Sequence, residues 1–222
     1  GDIDIPILAQ TFKQLIQRHE SLRTVFRLEG ESEPVQIILP MDDWEMNFVD
    51  LRDMSCNEIQ QRAQSLVDEF AQTVFDLQTG PLFKATLIQL ADEEYVLSTV
   101  MHHIISDGWS MRVFNRELTA IYESLIWQCP VDLPEMPIQY ADYCIWQRGW
   151  LEGDILEEYL NYWKQQLNGA PELLTLPTDR PRPKIQTTNG AVYEFSIEDD
   201  TAVGIKQLAV ESEATLFMVL LS

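Results

Sequence analysis

At 222 residues, with 45% hydrophobic and 23% charged side chains, the chain can bury a sizeable core and belongs with folded globular proteins. Its 36 acidic residues against 15 basic ones leave a formal net charge of −21, which argues against both nucleic acid and an anionic membrane surface as partners. Cys56, Cys129 and Cys144 are odd in number and form no Cys-x-x-Cys pair, so neither a disulfide framework nor a structural zinc site is expected, and reduced thiols in a cytoplasmic compartment fit best.

The N-terminus has neither the basic region nor the apolar segment of a signal peptide, and the apolar stretches fall short of the roughly 20 residues of a membrane span. Ile7, Leu8, Phe12, Leu15 and Ile16 recur at helical spacing, predicting an amphipathic helix over residues 6–20. Residues 24–29 and 35–39 read as the strands of a hairpin around Gly30 and Pro34, and residues 45–49 as a weaker strand. Ser55 with Glu58 three positions on forms a capping box for a helix reaching about residue 73. Two β-rich runs, 81–90 and 94–101, flank the polar tripeptide Ala91-Asp92-Glu93 and predict a second hairpin. Helices follow from just after Gly108 to about residue 127, from 137 to 150 and from 154 to 168. Three prolines and three basic residues within 177–184 make that segment an extended connector. Beyond it come a strand over 191–197, a helix over about 200–211 and the apolar start of another helix at 215–221. The missing initiator Met and the uncapped apolar end give the expectation of a truncated piece.

The feature that points to chemistry is His102-His103 before Ile104-Ile105-Ser106-Asp107-Gly108, two of the three histidines in the chain. Imidazole suits proton transfer near neutral pH. If the preceding strand continues to His103, that residue shares a face with Thr99 and Met101, and His102 takes the other, so only one histidine faces any given cavity. Gly108 is expected to take positive φ, and Ser106 or Asp107 to cap the following helix. A base at a strand end beside a helix N-terminus suits acyl transfer, with helix N–H groups receiving an oxyanion. Against this stand a bland reading, a satisfied core histidine and a capping aspartate, and a metal site. The metal reading is weakened because the residues lack the one-face spacing of His-Glu-x-x-His.

The string from Met101 to Ser110 resembles the His-His-x-x-x-Asp-Gly core of nonribosomal peptide synthetase condensation domains. Arg18-His19-Glu20-Ser21-Leu22-Arg23-Thr24-Val25-Phe26 is similar to the family's Arg-His-Glu-x-Leu-Arg-Thr-x-Phe motif, and Tyr140-Ala141-Asp142-Tyr143-Cys144-Ile145-Trp146-Gln147 to its Tyr-x-Asp-Tyr-x-x-Trp-Gln motif. Weaker echoes run from Phe75 to Leu82 and from Leu176 to Pro183.

The resemblance implies an α/β fold, an α+β two-layer sandwich of chloramphenicol acetyltransferase type, with a mixed, mainly antiparallel sheet and flanking helices. It assigns 1–175 to an N-terminal lobe, 176–190 to the connector and 191–222 to the start of a second lobe, the remainder of that C-terminal lobe being a missing partner. The implied reaction joins a donor acyl or peptidyl thioester to the amine of an acceptor aminoacyl thioester. Both ride on phosphopantetheine arms of peptidyl carrier proteins, next to an adenylation domain of the same module, with no directly bound cofactor and no metal. His103 is then the catalytic histidine and Gly108 the residue whose N–H approaches the oxyanion. His102, Asp107 and Arg23 are structural, with Arg23 expected to pair with Asp107. Tyr140, Asp142, Tyr143 and Trp146 are expected to pack as scaffold, and Trp109 to pack at its helix start. The piece alone is expected to be inactive. Heterocyclization domains carry aspartates in place of the histidine pair, and epimerization domains usually differ after the Asp, so peptide-bond formation is favoured. The alternatives are a non-catalytic relative recruiting a partner enzyme, which would erode the histidine motif, and an ester-forming or coenzyme A-dependent acyltransferase.

Overall fold

The computed structural model describes residues 1–28, 30, 33–40, 44–173, 175–185, 187 and 190–222, with the side chains of residues 56 and 57 outside that set. Part of the expected 30–34 turn and the end of the first expected strand lie outside the described residues. The chain divides into two compact units, Gly1–Leu167 and Asn168–Ser222.

In the first unit, helix α1 (Ile5–Arg18) starts where the Asp4 carboxylate accepts the Ile7 N–H at 2.9 Å, with Pro6 in the first turn where its missing N–H costs nothing. Its buried stripe is Leu8, Thr11, Phe12, Leu15 and Ile16, the i, i+3, i+4 pattern of one helix face. A 3-10 turn at Glu20–Arg23 leads into strand β1 (Thr24–Leu28), which pairs antiparallel with β2 (Pro34–Ile38). A three-stranded sheet follows in the order β3-β4-β5: β3 (Asn47–Asp50) lies parallel to β4 (Phe83–Ala91), which pairs antiparallel with β5 (Glu94–Met101).

Helix α2 (Cys56–Ala71) begins with the expected capping box: the Ser55 N–H and hydroxyl donate to the Glu58 carboxylate at 3.3 and 2.5 Å. Strand β4 is buried on both faces, which is why it reads as a continuous apolar run rather than an alternation. Phe83, Ala85 and Leu87 enter the main core with α1 and helix α3 (Gly108–Ile126), while Ile88 and Leu90 meet Leu51 and Ala63 of α2 on the reverse face. The expected helix-on-sheet layering is therefore present, with α2 as additional cover. Four aromatic rings fill the main core: Trp44 stacks on Phe83 at 5.5 Å and donates its indole N–H to the Phe83 carbonyl at 3.1 Å, and Phe12 and Phe114 tilt against them.

Helix α4 (Tyr140–Trp150) starts three residues later than expected, because the Gln139 N–H is capped by the Asp142 carboxylate at 2.8 Å. Helix α5 (Gly153–Gln166) follows, and neither α4 nor α5 has a buried residue. The expected scaffold packing of Tyr140, Tyr143 and Trp146 is thus not what this chain builds: they stand 57%, 39% and 58% exposed, in a ring-to-ring series that continues to Trp150 and Tyr159.

In the second unit, helices α6 (Asp199–Glu211) and α7 (Leu216–Leu221) form as expected, with Ala209 buried. The strand expected over 191–197 is absent. A strand needs a neighbour for its backbone N–H and C=O groups, and no strand is present among the described residues of this unit. Val192, Tyr193 and Phe195 are correspondingly exposed. No helix among the described residues is long and apolar enough to cross a membrane.

Candidate active site

The site grows out of the way β5 ends. The ladder with β4 gains one more rung beyond Met101, with the His102 N–H donating to the Leu82 carbonyl at 3.0 Å. The chain then turns. His102 Nδ1 accepts the Ile104 N–H at 3.0 Å, and the His102 carbonyl accepts the Ile105 N–H at 3.0 Å. Accepting on Nδ1 puts the ring N–H of His102 on Nε2. The His102 ring also meets Phe75 edge-on at 6.1 Å, and the Lys84 ammonium sits 5.7 Å over the same Phe75 ring. The strand therefore stops short of His103, and this turn, not strand alternation alone, presents its exposed ring.

Asp107 begins α3. Its carboxylate accepts the Ser110 N–H at 2.7 Å and the Ser110 hydroxyl at 2.6 Å, while the Asp107 N–H donates back to Ser110 Oγ at 3.2 Å. The Ser110 hydroxyl, then the Ser110 N–H, hold the Asp107 carboxyl below the usual aspartate value, with smaller help from the Trp109 N–H and His103. Asp107 is exposed. Gly108 is the first helical residue and does not take the expected positive φ, which is found at Gly30, Gly80, Gly153 and Gly169. A Cβ built on Gly108 meets nothing within 4 Å, so nothing described in the chain demands glycine there. Of the N–H groups that a helix start leaves without intrahelical partners, that of Ser110 goes to the Asp107 carboxylate, and Gly108 lies beside it as the first helical residue.

Arg23 does not reach Asp107. Its guanidinium donates to the Leu39 carbonyl at 2.9 Å and to Glu20 at 3.4 Å, bracing the start of β1. The expected pair rested on Asp107 being buried and in need of a cation. An exposed carboxylate that caps its own helix has no such need. Trp109 is 73% exposed, because the inward face of α3 is carried by Phe114, Glu117 and Ile121.

Two cavities meet at His103, Ser106 and Asp107. The first, about 210 Å³, is walled by Ser21, Phe26, Gln36, Ser110 and Tyr140. The second, about 200 Å³, is walled by Thr99, Met101, Gly108 and Met111. His103 thus still lies along the Thr99 and Met101 side of β5.

Sequence reasoning passed over the groups that hold these walls together. Glu117 is 3% exposed, and its carboxylate accepts from Arg18 Nε at 2.9 Å and meets His19 Nε2 at 2.6 Å. Burial pushes its pKa up, but the His19 bond and charge, followed by those of Arg18, outweigh it and the net shift is downward. Gln139 accepts the Glu20 N–H at 3.2 Å and donates to the Arg18 carbonyl at 3.0 Å, stapling α4 to the same turn. The Asp107-x-x-Ser110 spacing was a readable capping signal. Glu117 carried none, since the Arg18 and His19 that bond its carboxylate lie 99 and 98 residues away, and the neighbouring Arg116 only approaches it at 3.6 Å.

A mixed α/β lobe with an exposed histidine before a capped helix defines the class of molecule. The condensation-domain family model matches residues 1–222, and the chain belongs to that family. It is 46% identical over 222 residues to one of the subunits of the linear gramicidin synthase of Brevibacillus parabrevis, covering 100% of this chain and 3% of that protein. Among solved structures it resembles the X-domain from teicoplanin biosynthesis (TM-score 0.81, 24% identity, 97% of this chain and 47% of that one). It also resembles the SgcC5 protein from Streptomyces globisporus (TM-score 0.72, 27% identity, 98% and 48%). The chain therefore spans about half the length of these solved relatives and a small part of the gramicidin synthase polypeptide.

Proposed function

We propose that this chain carries the catalytic histidine of a peptide-bond-forming condensation domain, working in the cytoplasm on substrates held by phosphopantetheine arms. The observation that carries the reading is the exposed His103 ring at the junction of two cavities, with the N-terminus of α3 beside it. The attacking group is the amine of an acceptor aminoacyl thioester, which His103 orients or deprotonates. Its nitrogen bonds to the carbonyl carbon of the donor acyl or peptidyl thioester, and the Gly108 N–H supports the tetrahedral oxyanion. Collapse breaks the C–S bond. The amine proton passes by way of His103 to the departing carrier thiolate.

His102 buttresses the turn, Asp107 sets the start of α3, and Arg23 braces β1 against Leu39 and Glu20; none of the three touches substrate in this scheme. Donor and acceptor carrier proteins, an adenylation domain of the same module and a C-terminal lobe complete the working assembly, and residues 1–222 by themselves are inactive. The test is product formation by the full-length protein with loaded donor and acceptor carriers. His103→Ala is expected to lower turnover by at least about 10²-fold, the usual scale for removing a general base. Wild-type turnover in that variant overturns the role of His103, and no product from the wild-type protein overturns the reading and favours a role in recruiting a partner enzyme.

A further inference from the structure

A third cavity, about 160 Å³, adjoins both of those at His103. Ser21, Ile105, Ser106 and Ser110 line it together with the first, and Met101 and Ser106 line it together with the second. The rest of its wall is apolar. Trp109, Val113 and Phe114 stand at i, i+4 and i+5 on one face of α3, and Leu22 comes from the 3-10 turn.

No lysine, arginine or carboxylate is among the described residues that line this cavity. His19 is their one titratable member, and its ring is already engaged. Its Nε2 lies 2.6 Å from the Glu117 carboxylate, which is 3% exposed and also accepts from Arg18. A charged group seated here would lose hydration without meeting a free opposite charge, whereas an apolar group would gain by leaving water. Leu22 and Phe114 belong to the main core, so packing fixes their size. Val113 is outside that core, is half-buried, and lies outside the three motif segments.

In an aminoacyl thioester the side chain sits one carbon away from both the amine nitrogen and the carbonyl carbon. A substrate reacting at His103 therefore projects its side chain toward an adjoining space. We propose that the third cavity seats one apolar, uncharged aminoacyl side chain, and that Val113 is the specificity-determining residue that limits its size. Acceptor and donor thioesters both carry such a side chain, and the experiment separates the two. The inference rests on the amine-acylation reading given above.

The experiment uses the full-length protein and paired competitions. In one arm, acceptor carriers loaded with alanine, leucine or phenylalanine compete in pairs for one donor. In the other arm, donor carriers loaded with the same residues compete for one acceptor. Val113→Phe fills the cavity and is expected to lower the leucine-to-alanine ratio by about tenfold or more in one arm only, since even one methylene in a fitted pocket is worth about 10–200-fold. Val113→Ala enlarges the cavity and should raise the phenylalanine-to-leucine ratio by about fivefold or more in that same arm. The arm that moves identifies the substrate whose side chain is seated. Ratios that stay within about threefold of wild type in both arms, or that move equally in both, overturn the proposal. If Val113→Phe loses its cooperative thermal transition, Val113→Leu takes its place, with the same expected and overturning results. No product from the wild-type protein overturns the underlying reading and this inference with it, whereas product with unmoved ratios overturns this inference alone, so the two failures are distinguishable.

Discussion

Replacing Glu117 by Gln removes the one negative charge that Arg18 and His19 share, while keeping side-chain volume. Removing one partner from a fully buried ion pair costs about 3–5 kcal/mol. Here Arg18 and His19 keep 21% and 18% of their side-chain surface exposed and regain some hydration once unpaired. A loss of about 2–3 kcal/mol is therefore expected. At about 2–4 °C per kcal/mol for a domain of this size, the midpoint should fall by about 4–12 °C. The carboxyl pKa is lowered in the fold, because the His19 and Arg18 interactions outweigh the opposing effect of burial. The stabilisation is then complete above the ordinary glutamate value and is lost as pH falls through the folded value. Thermal unfolding of wild type and Glu117→Gln, followed by circular dichroism, should show the widest gap near neutral pH and a narrowing one below about pH 4. A gap under about 2 °C at pH 7, or one that stays constant into acid, would refute the reasoning.

Gly108→Ala separates what the fold needs from what the reaction needs. With open space around the new Cβ, thermal stability should be unchanged or slightly higher, by about 0.5–1 kcal/mol at most. Turnover should fall by about tenfold or more as the methyl group crowds the approach of substrate to the backbone N–H; equal turnover would remove Gly108 from the scheme. Residues 1–222 expressed alone should give no transfer between loaded carriers while still unfolding cooperatively, and dipeptidyl product from that piece would contradict the assignment.

Local elements were legible because their signals are local. The stripe from Leu8 to Ile16, the Ser55–Glu58 box and the hairpin turn between β4 and β5 each act within a few residues and formed where expected, except that Ala91 joins β4 and leaves Asp92-Glu93 as the turn. The strand over 191–197 was misread for the complementary reason: β propensity describes what fits a sheet, and no partner strand is described in that unit. Gly108 was expected to make the turn by positive φ, but the reciprocal Asp107–Ser110 cap makes it with ordinary helical backbone. The Arg23–Asp107 pair failed because burial, on which it depended, is a property of the assembled fold.

The sequence by itself determined the family, the histidine pair and the helix that starts after Asp107, because these are matters of residue identity and short spacing. Only the tertiary structure decided which groups share a cavity with His103. Ser21 and Tyr140 are 119 residues apart in the chain and meet at one wall because Gln139 is stapled to the turn after α1. Glu117 became the anchor of that region because folding buried it beside Arg18 and His19, and a buried carboxylate is stable only where opposite charge and hydrogen bonds reach it.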